Sequence, residues 1–397
     1  MEKIALPENY EVNKPTYNTA DWNKTDYADG DIYMTTLPPQ NKGETLADNP
    51  DNWTECLFHF AEQKRKIVST PGFPSPVVRP PQVRHRVGPS RFGTGVFATR
   101  NIQMGQLILS ERPLLICPVS VPIQIPQLPE GLRDSDFTFE QYTQARINDY
   151  EELLKVCVNR MEPENKEAFF KLHNSHTDDG SGPIFGRIRT NGIGILSDTS
   201  AEQKAAGNYG CTGIFNVVSY LNHSCTPNVT YKFSLDSISI QVRATRNIKK
   251  GEELFMSYCN IDDPTSVRQK QLRSYDFQCT CRVCNDPTTD ALLERIQINT
   301  SLDKCDPSQS YMAHAEQWLA QIEALGWEQL KEYGSYLSMA MVAAMGIKDS
   351  AKHRRYQDMH EAWTEGMYGE PIKMRLFAPG LSSPMDLKSM LDALPRK

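Results

Sequence analysis

Apolar and polar positions divide this chain into three textures. Residues 96–99 and 106–116 are β-branched and apolar with turn residues between them, and they predict strands. Residues 142–160 and 164–173 carry apolar side chains at three-and-four spacing, which predicts helices. Beyond Asp286 strand signals fade. Met312, Ala315, Trp318, Leu319 and Ile322 then make a helical stripe, and the C-terminal block is expected to be a few packed helices of repeat type without a fixed period. Up to about Asn52 the chain is polar, rich in Asn, Asp, Tyr and Pro, with little periodicity. Residues 53–68 predict one helix with Trp53, Leu57, Phe60, Ala61 and Ile67 on one side. Pro71, Pro74, Pro76, Pro80 and Pro81 follow and predict a linker or clasp.

One short pattern occurs twice. TRNIQMG at 99–105 returns as TRNIKKG at 245–251, each time leading into an apolar strand. Strands on both sides of the helical middle stretch, about 118–210, are therefore expected to belong to one sheet system.

Composition sets the class. At 397 residues, 39% hydrophobic and 23% charged, the chain is long enough for two or three domains and reads as globular. A net charge of −6 gives no overall basic field, so direct nucleic-acid binding is not expected. Lys64-Arg65-Lys66 and Arg84-His85-Arg86 are short basic clusters, read as solvated faces. No apolar run reaches the roughly 20 residues of a membrane span, and the polar N-terminus has no signal-peptide core. The expectation is an intracellular protein of nucleus or cytoplasm, without a membrane partner. Ten cysteines in a reducing compartment need a reading other than disulfides.

Three of them lie within six residues: Cys279, Cys281 and Cys284, in FQCTCRVC. Closely spaced thiols on a turn-prone segment are how zinc gathers sulfur ligands, and a structural site needs a fourth. Cys225 is the best candidate, with Cys259, Cys305 and His223 competing; spacing does not choose between them. Cys56, Cys117, Cys157, Cys211 and Cys305 are isolated and read as small hydrophobes rather than ligands. Cys225 itself lies in SYLNHSCTPNV, a segment that starts apolar and then spends Asn222, His223, Ser224, Pro227 and Asn228 on groups costly to bury.

RFGTGVFA at 91–98, NHSCTPN at 222–228, GEELFMSY at 251–258 and CTCRVC at 279–284 occur in that order. Together they resemble a SET domain followed by a post-SET zinc loop, and the closest resemblance is to the SMYD branch of protein lysine methyltransferases. It covers roughly residues 88–286. SMYD proteins carry a MYND zinc finger, whereas the only thiol of this insert is Cys157, so the chain looks like a fungal-type SET protein without that finger.

The resemblance implies an α+β fold with the following plan. Residues 1–87 would be an N-terminal extension, 88–117 the first SET half, 118–210 a helical insert and 211–262 the second SET half. The post-SET zinc loop would take 263–286 and a helical region 287–397. It implies a threaded arrangement in which the NHSC segment passes through a loop, bringing Cys225 to zinc with Cys279, Cys281 and Cys284. It also implies S-adenosyl-L-methionine as cofactor, held by Arg91, Gly93, Thr94, Gly95, Phe97, Asn191, Asn222, His223, Tyr258, Tyr275 and Phe277. Tyr258 would be the catalytic residue, orienting a lysine nitrogen against the methyl group. The expected partner is a protein presenting lysine, a histone tail or a non-histone protein. A non-catalytic SET scaffold and a SET enzyme for a small molecule are the alternatives.

Overall fold

A computed structural model describes residues 4–7, 10–14, 16–19, 21–27, 31–119, 137–196, 200, 204, 210–298 and 309–373. In chain order its strands are β1 (Asn18–Thr19), β2 (Tyr33–Leu37), β3 (Thr54–Phe58), β4 (His85–Ser90), β5 (Gly93–Ala98), β6 (Leu107–Glu111) and β7 (Leu115–Pro118). After the helical stretch come β8 (Ile193–Gly194), β9 (Cys211–Ile214), β10 (Asn222–His223), β11 (Val229–Ser234), β12 (Ser239–Ala244) and β13 (Glu253–Met256). The chain divides into two compact units. Met1–Arg79, Ser110–Tyr220 and Phe233–Ile240 form the first; Pro80–Leu109, Leu221–Lys232 and Gln241–Lys397 form the second. A small sheet of order β11-β12-β6 is made of strands with residues in both.

The first unit is built on a six-stranded sheet of order β1-β2-β3-β7-β9-β8. Its central strands are buried on both faces. Leu57, Leu115 and Cys117 join one core with Tyr150, Leu153, Leu154, Cys157 and Phe169 of the helices. Cys56, Phe58 and Ile116 point the other way, into a core with Leu37, Ile67 and Cys211. This two-sided burial explains a difference from the sequence reading. Residues 53–68 are not one helix: every position of Thr54–Phe58 is buried in a strand, and the helix begins only at Ala61. Pairing of β3 with β2 and β7 overrides the helical spacing of its apolar positions. The polar N-terminal stretch likewise supplies β2, paired Met34 to Leu57, and so joins the sheet. Residues 106–116 form two strands rather than one. Arg112 and Pro113 interrupt them, because proline has no ladder donor and the buried guanidinium donates to the carbonyls of Ser237, Asn52 and Ser75.

The expected helices are present as Phe139–Asn159 and Pro163–Lys171, with Pro183–Asn191 after them. The first is started by a capping box between Thr138 and Gln141. Glu151 inside it accepts the amides of Ile184 and Phe185, neutralising the start of the third helix.

Glu111 is half-buried at the end of β6. Burial pushes its carboxyl up to about 7, although it accepts the amides of Val218 and Val217. The folded protein therefore holds this proton where the unfolded chain, titrating near about 4.3, has lost it. Stability conferred by that proton is present at low pH and is lost as pH rises from about 4.5 to about 7. Glu111→Gln should flatten that part of the stability–pH curve, measured by urea unfolding at a series of pH values. An unchanged slope would contradict the assignment.

The second unit holds a four-stranded sheet of order β10-β13-β5-β4, in which β10 and β13 run parallel. The repeated TRNI turns meet each other here. Ile102 and Ile248 exchange both backbone hydrogen bonds at 2.8 Å. Asn101 Oδ1 accepts from the Lys250 amide at 2.9 Å, and Asn247 Oδ1 accepts from the Met104 amide at 3.0 Å. The two turns clasp with pseudo-twofold symmetry, closed by Gly105 and Gly251 at φ of 84° and 86°. Strands before and after the helical insert do pair, β5 with β13 and β7 with β9, but they are distributed over three sheets rather than the one system expected from the echo.

Helices Gln309–Leu325, Lys331–Gly346 and Ser350–Tyr368 complete this unit. Their core is continuous with the cysteine loop: Cys225, Leu272, Cys279 and Val283 pack in one cluster with Trp318, Trp327, Tyr336 and Trp363. The buried indole of Trp327 donates to the Cys225 carbonyl at 3.2 Å, and that of Trp363 donates to the Glu328 carbonyl.

Candidate functional site

All but one of the sequence-predicted site residues belong to the second unit. Cys225 follows β10, Cys279 and Cys281 precede the short helix Arg282–Asn285, and Cys284 lies within it. The four sulfurs lie within 4.8 Å of one another. Cys225 Sγ is 3.9 Å from Cys279 Sγ and 3.5 Å from Cys284 Sγ. Sulfurs about 2.3 Å from a tetrahedral zinc are about 3.8 Å apart, so this set fits the ion. Of the competing candidates, His223 and Cys259 adjoin Cys225 without joining the set of four. Cys305 lies outside the described residues.

The loop is braced. Gln269 clamps Cys279 by donating to its carbonyl at 2.8 Å and accepting its amide at 3.0 Å. Arg268 is fully buried, and its Nη2 lies 3.8 Å from Cys284 Sγ. Its guanidinium is held even further above the usual range by the charge of Cys225, against the cost of burial. Hydrogen bonds among the clustered sulfurs hold Cys281 and Cys284 below the ordinary thiol range and push Cys225 and Cys279 above it. A buried arginine beside thiolates offsets the negative charge a four-sulfur site carries.

Across from the cysteines, β10 brings Asn222 against β5 and β13. Asn222 Nδ2 donates to the Thr94 carbonyl at 3.0 Å and to Glu253 Oε1 at 2.8 Å. Ser90 Oγ donates to the same carboxylate at 2.8 Å. A Cβ on Gly95 would stand 2.4 Å from Glu253 Oε1 and 3.1 Å from Asn222 Nδ2, so a side chain there would displace the carboxylate that holds Asn222. Gly93, at φ 103°, faces open space. Arg91 and Thr94 are exposed and Phe97 is half-buried, with the Arg86 guanidinium 4.8 Å above the Phe97 ring.

Tyr258 stands just past β13. Its hydroxyl donates to the Leu221 carbonyl at 2.5 Å, and its amide donates to His223 Nδ1 at 3.0 Å. Burial, and then the neighbouring Tyr275, push the phenol well above its ordinary range, so it stays protonated. Its ring lies 4.8 Å from Tyr275 and 5.4 Å from His223, with Phe277 at 6.5 Å. These rings make an aromatic wall on which the carbonyl-bound hydroxyl is fixed. Asn228, fully buried, holds the same strand by accepting the Phe255 amide at 2.7 Å and donating to the Glu253 carbonyl at 2.8 Å.

Asn191 belongs to the first unit. Its amide nitrogen donates to the carbonyls of His173 and Arg187, each at 2.7 Å. Sequence reasoning missed Glu253, Arg268 and Gln269 as site members. Glu253 was visible in GEELF but reads as an ordinary strand-edge charge. Arg268 and Gln269 sit on an eight-residue helix with no signal of its own.

A strand-bound glycine turn, a carboxylate-held asparagine, a phenol on a main-chain carbonyl and a four-thiol loop all belong to the second unit. The SET domain family model matches residues 93–259. Those residues carry a SET domain, and the chain is similar there to SMYD-type proteins. It is 28% identical over 194 residues to the histone-lysine N-methyltransferase set5 of Schizosaccharomyces pombe, covering 49% of this chain and 47% of that protein. It is 33% identical over 156 residues to the human N-lysine methyltransferase SMYD2, covering 38% and 32%. The chain thus spans about half or less of the length of these relatives. A solved SET domain of LSMT, bound to lysine and AdoHcy, aligns over 74% of this chain and 80% of its own at 11% identity, with a TM-score of 0.28. Among the described residues, no helix is long and apolar enough to cross a membrane.

Proposed function

We propose that this protein transfers a methyl group from S-adenosyl-L-methionine to a lysine side-chain nitrogen of a protein, histone or non-histone, in nucleus or cytoplasm. The observation that carries the reading is Tyr258. Its phenol is protonated, anchored to the Leu221 carbonyl and walled by Tyr275 and His223, directly beside the Asn222 strand. Curated relatives named as lysine methyltransferases support the same reaction.

The cofactor, when bound, supplies an electrophilic methyl group on sulfonium sulfur. Gly93 leaves open space for it, and Arg91, Thr94, Gly95, Phe97, Asn222, His223, Tyr275 and Phe277 would form the surrounding walls. Transfer would form the new N–C bond from the lysine nitrogen's lone pair, leave the C–S pair on sulfur and release the proton to solvent. The chain's task is alignment, worth on the order of 7 kcal/mol for a well-oriented pair. An aromatic, poorly hydrated channel also favours the neutral amine the reaction needs. Tyr258 acts by orientation and electrostatic help, since a phenol titrating so high is mismatched as a base.

Cys225, Cys279, Cys281 and Cys284 are proposed to hold one structural zinc. The metal ties the loop bearing Tyr275 and Phe277 to the strand bearing Asn222. Incubation with methyl-labelled cofactor and a panel of histone and non-histone proteins should place label on lysine, located by peptide mass spectrometry. Label on small molecules alone, or on none of the panel, would overturn the reading.

A further inference from the structure

The His223 ring meets the Tyr258 amide on one side and the sulfurs of Cys225 and Cys259 on the other, and the proton position on the ring can be derived. Its Nδ1 lies 3.0 Å from the backbone nitrogen of Tyr258, which can only donate. Nδ1 is therefore the acceptor and carries no proton. The ring's one proton then sits on Nε2, which lies 3.3 Å from Cys225 Sγ. A doubly protonated ring would turn a second donor against the Tyr258 amide, so the two contacts fix one tautomer. His223 is buried, which leaves its two nitrogens no alternative partner in water.

We propose that His223 is a positioning residue that couples the metal loop to catalysis: Nε2–H donates to the Cys225 thiolate, while Nδ1 holds the amide of Tyr258. The inference rests on the proposed zinc and methyl-transfer reading. It assigns the imidazole a task other than cofactor recognition, since both nitrogens are already engaged and only the ring face and backbone of His223 remain for a cofactor. Two further bonds tie the same elements. Ser224 donates its amide to the Met256 carbonyl at 3.0 Å, and the Tyr258 hydroxyl returns to the Leu221 carbonyl. The segment 221–225 is thus laced to 256–258 by backbone, phenol and imidazole together. Of these, only the imidazole reaches the sulfur cluster. An N–H donor to a metal thiolate lowers the charge on sulfur and resists its protonation, so ligand strength at Cys225 and phenol placement become linked.

Two substitutions separate the ends of the relay. Asn places its amide where Nδ1 lies and keeps an acceptor for Tyr258, but loses the donor to sulfur. Gln reaches the Nε2 position and keeps the donor, but loses the acceptor for Tyr258. In the cobalt-substituted full-length protein, His223→Asn should move the thiolate-to-cobalt charge-transfer band to lower energy. It should also weaken zinc binding about 10–100-fold in chelator competition. His223→Gln should leave the band and the zinc affinity close to wild type while lowering kcat more than it changes the KM for cofactor. Circular dichroism confirms that each variant is folded. Should His223→Asn show an unchanged band and unchanged zinc affinity, the relay is absent; should both variants shift the band equally, His223 serves only packing. The spectral and affinity arms need no methyl transfer. An inactive protein with the predicted band shift would therefore refute the proposed reaction and leave the relay standing.

Discussion

Tyr258→Phe should lower kcat for methyl transfer by about 10²–10³-fold while leaving affinity for S-adenosylmethionine within a few-fold. The variant keeps the ring and its contacts with Tyr275 and His223, so the aromatic wall survives. It loses the hydroxyl and, with it, the bond to the Leu221 carbonyl that fixes the phenol beside Asn222. A fixed dipole matters at the moment charge moves between sulfur and nitrogen, not while the cofactor merely sits in its cleft. The loss therefore belongs in kcat. Single-turnover rates and calorimetric binding on the same preparation separate the two terms. Comparable losses in rate and affinity would assign Tyr258 to cofactor binding.

The second large effect concerns the metal. Purified protein should contain one zinc per chain, and Cys281→Ser should remove it along with cofactor binding. The proposed metal would tie Cys225 to the 279–284 loop at the sulfurs themselves, and that loop is continuous with Tyr275 and Phe277 of the aromatic wall. A structural zinc contributes about 10–16 kcal/mol of apparent binding energy near neutral pH. Its loss also leaves thiolates crowded beside buried Arg268 without an ion between them. The helical core packed on Cys225, Cys279 and Val283 should loosen, so a two-step thermal melt is expected in place of the wild-type curve. Full cofactor affinity in metal-free protein would contradict this chain of dependence.

Much of this site was legible because its chemistry is dense in sequence. Cys279, Cys281 and Cys284 sit within one turn, and NHSC concentrates polar side chains where an apolar segment had begun. That Cys225 joins the three is a convergence across 54 residues, which spacing leaves open and the fold resolves. The repeated TRNI turns were readable as an echo, but their reciprocal clasp through Asn101 and Asn247 needed three dimensions. The N-terminal region misled. Thr54–Phe58 carries apolar residues compatible with a helix, and only its burial between two cores makes it a strand. Glu253 and Arg268 escaped for a related reason: each is an ordinary charge in sequence and becomes part of the site through a partner far away in the chain, Asn222 or Cys284.

The most direct test is titration calorimetry of S-adenosylmethionine into metal-loaded, folded protein. The account predicts saturable one-to-one binding that Asn222→Ala weakens and zinc removal abolishes. A folded, zinc-replete protein that takes up no cofactor would contradict it.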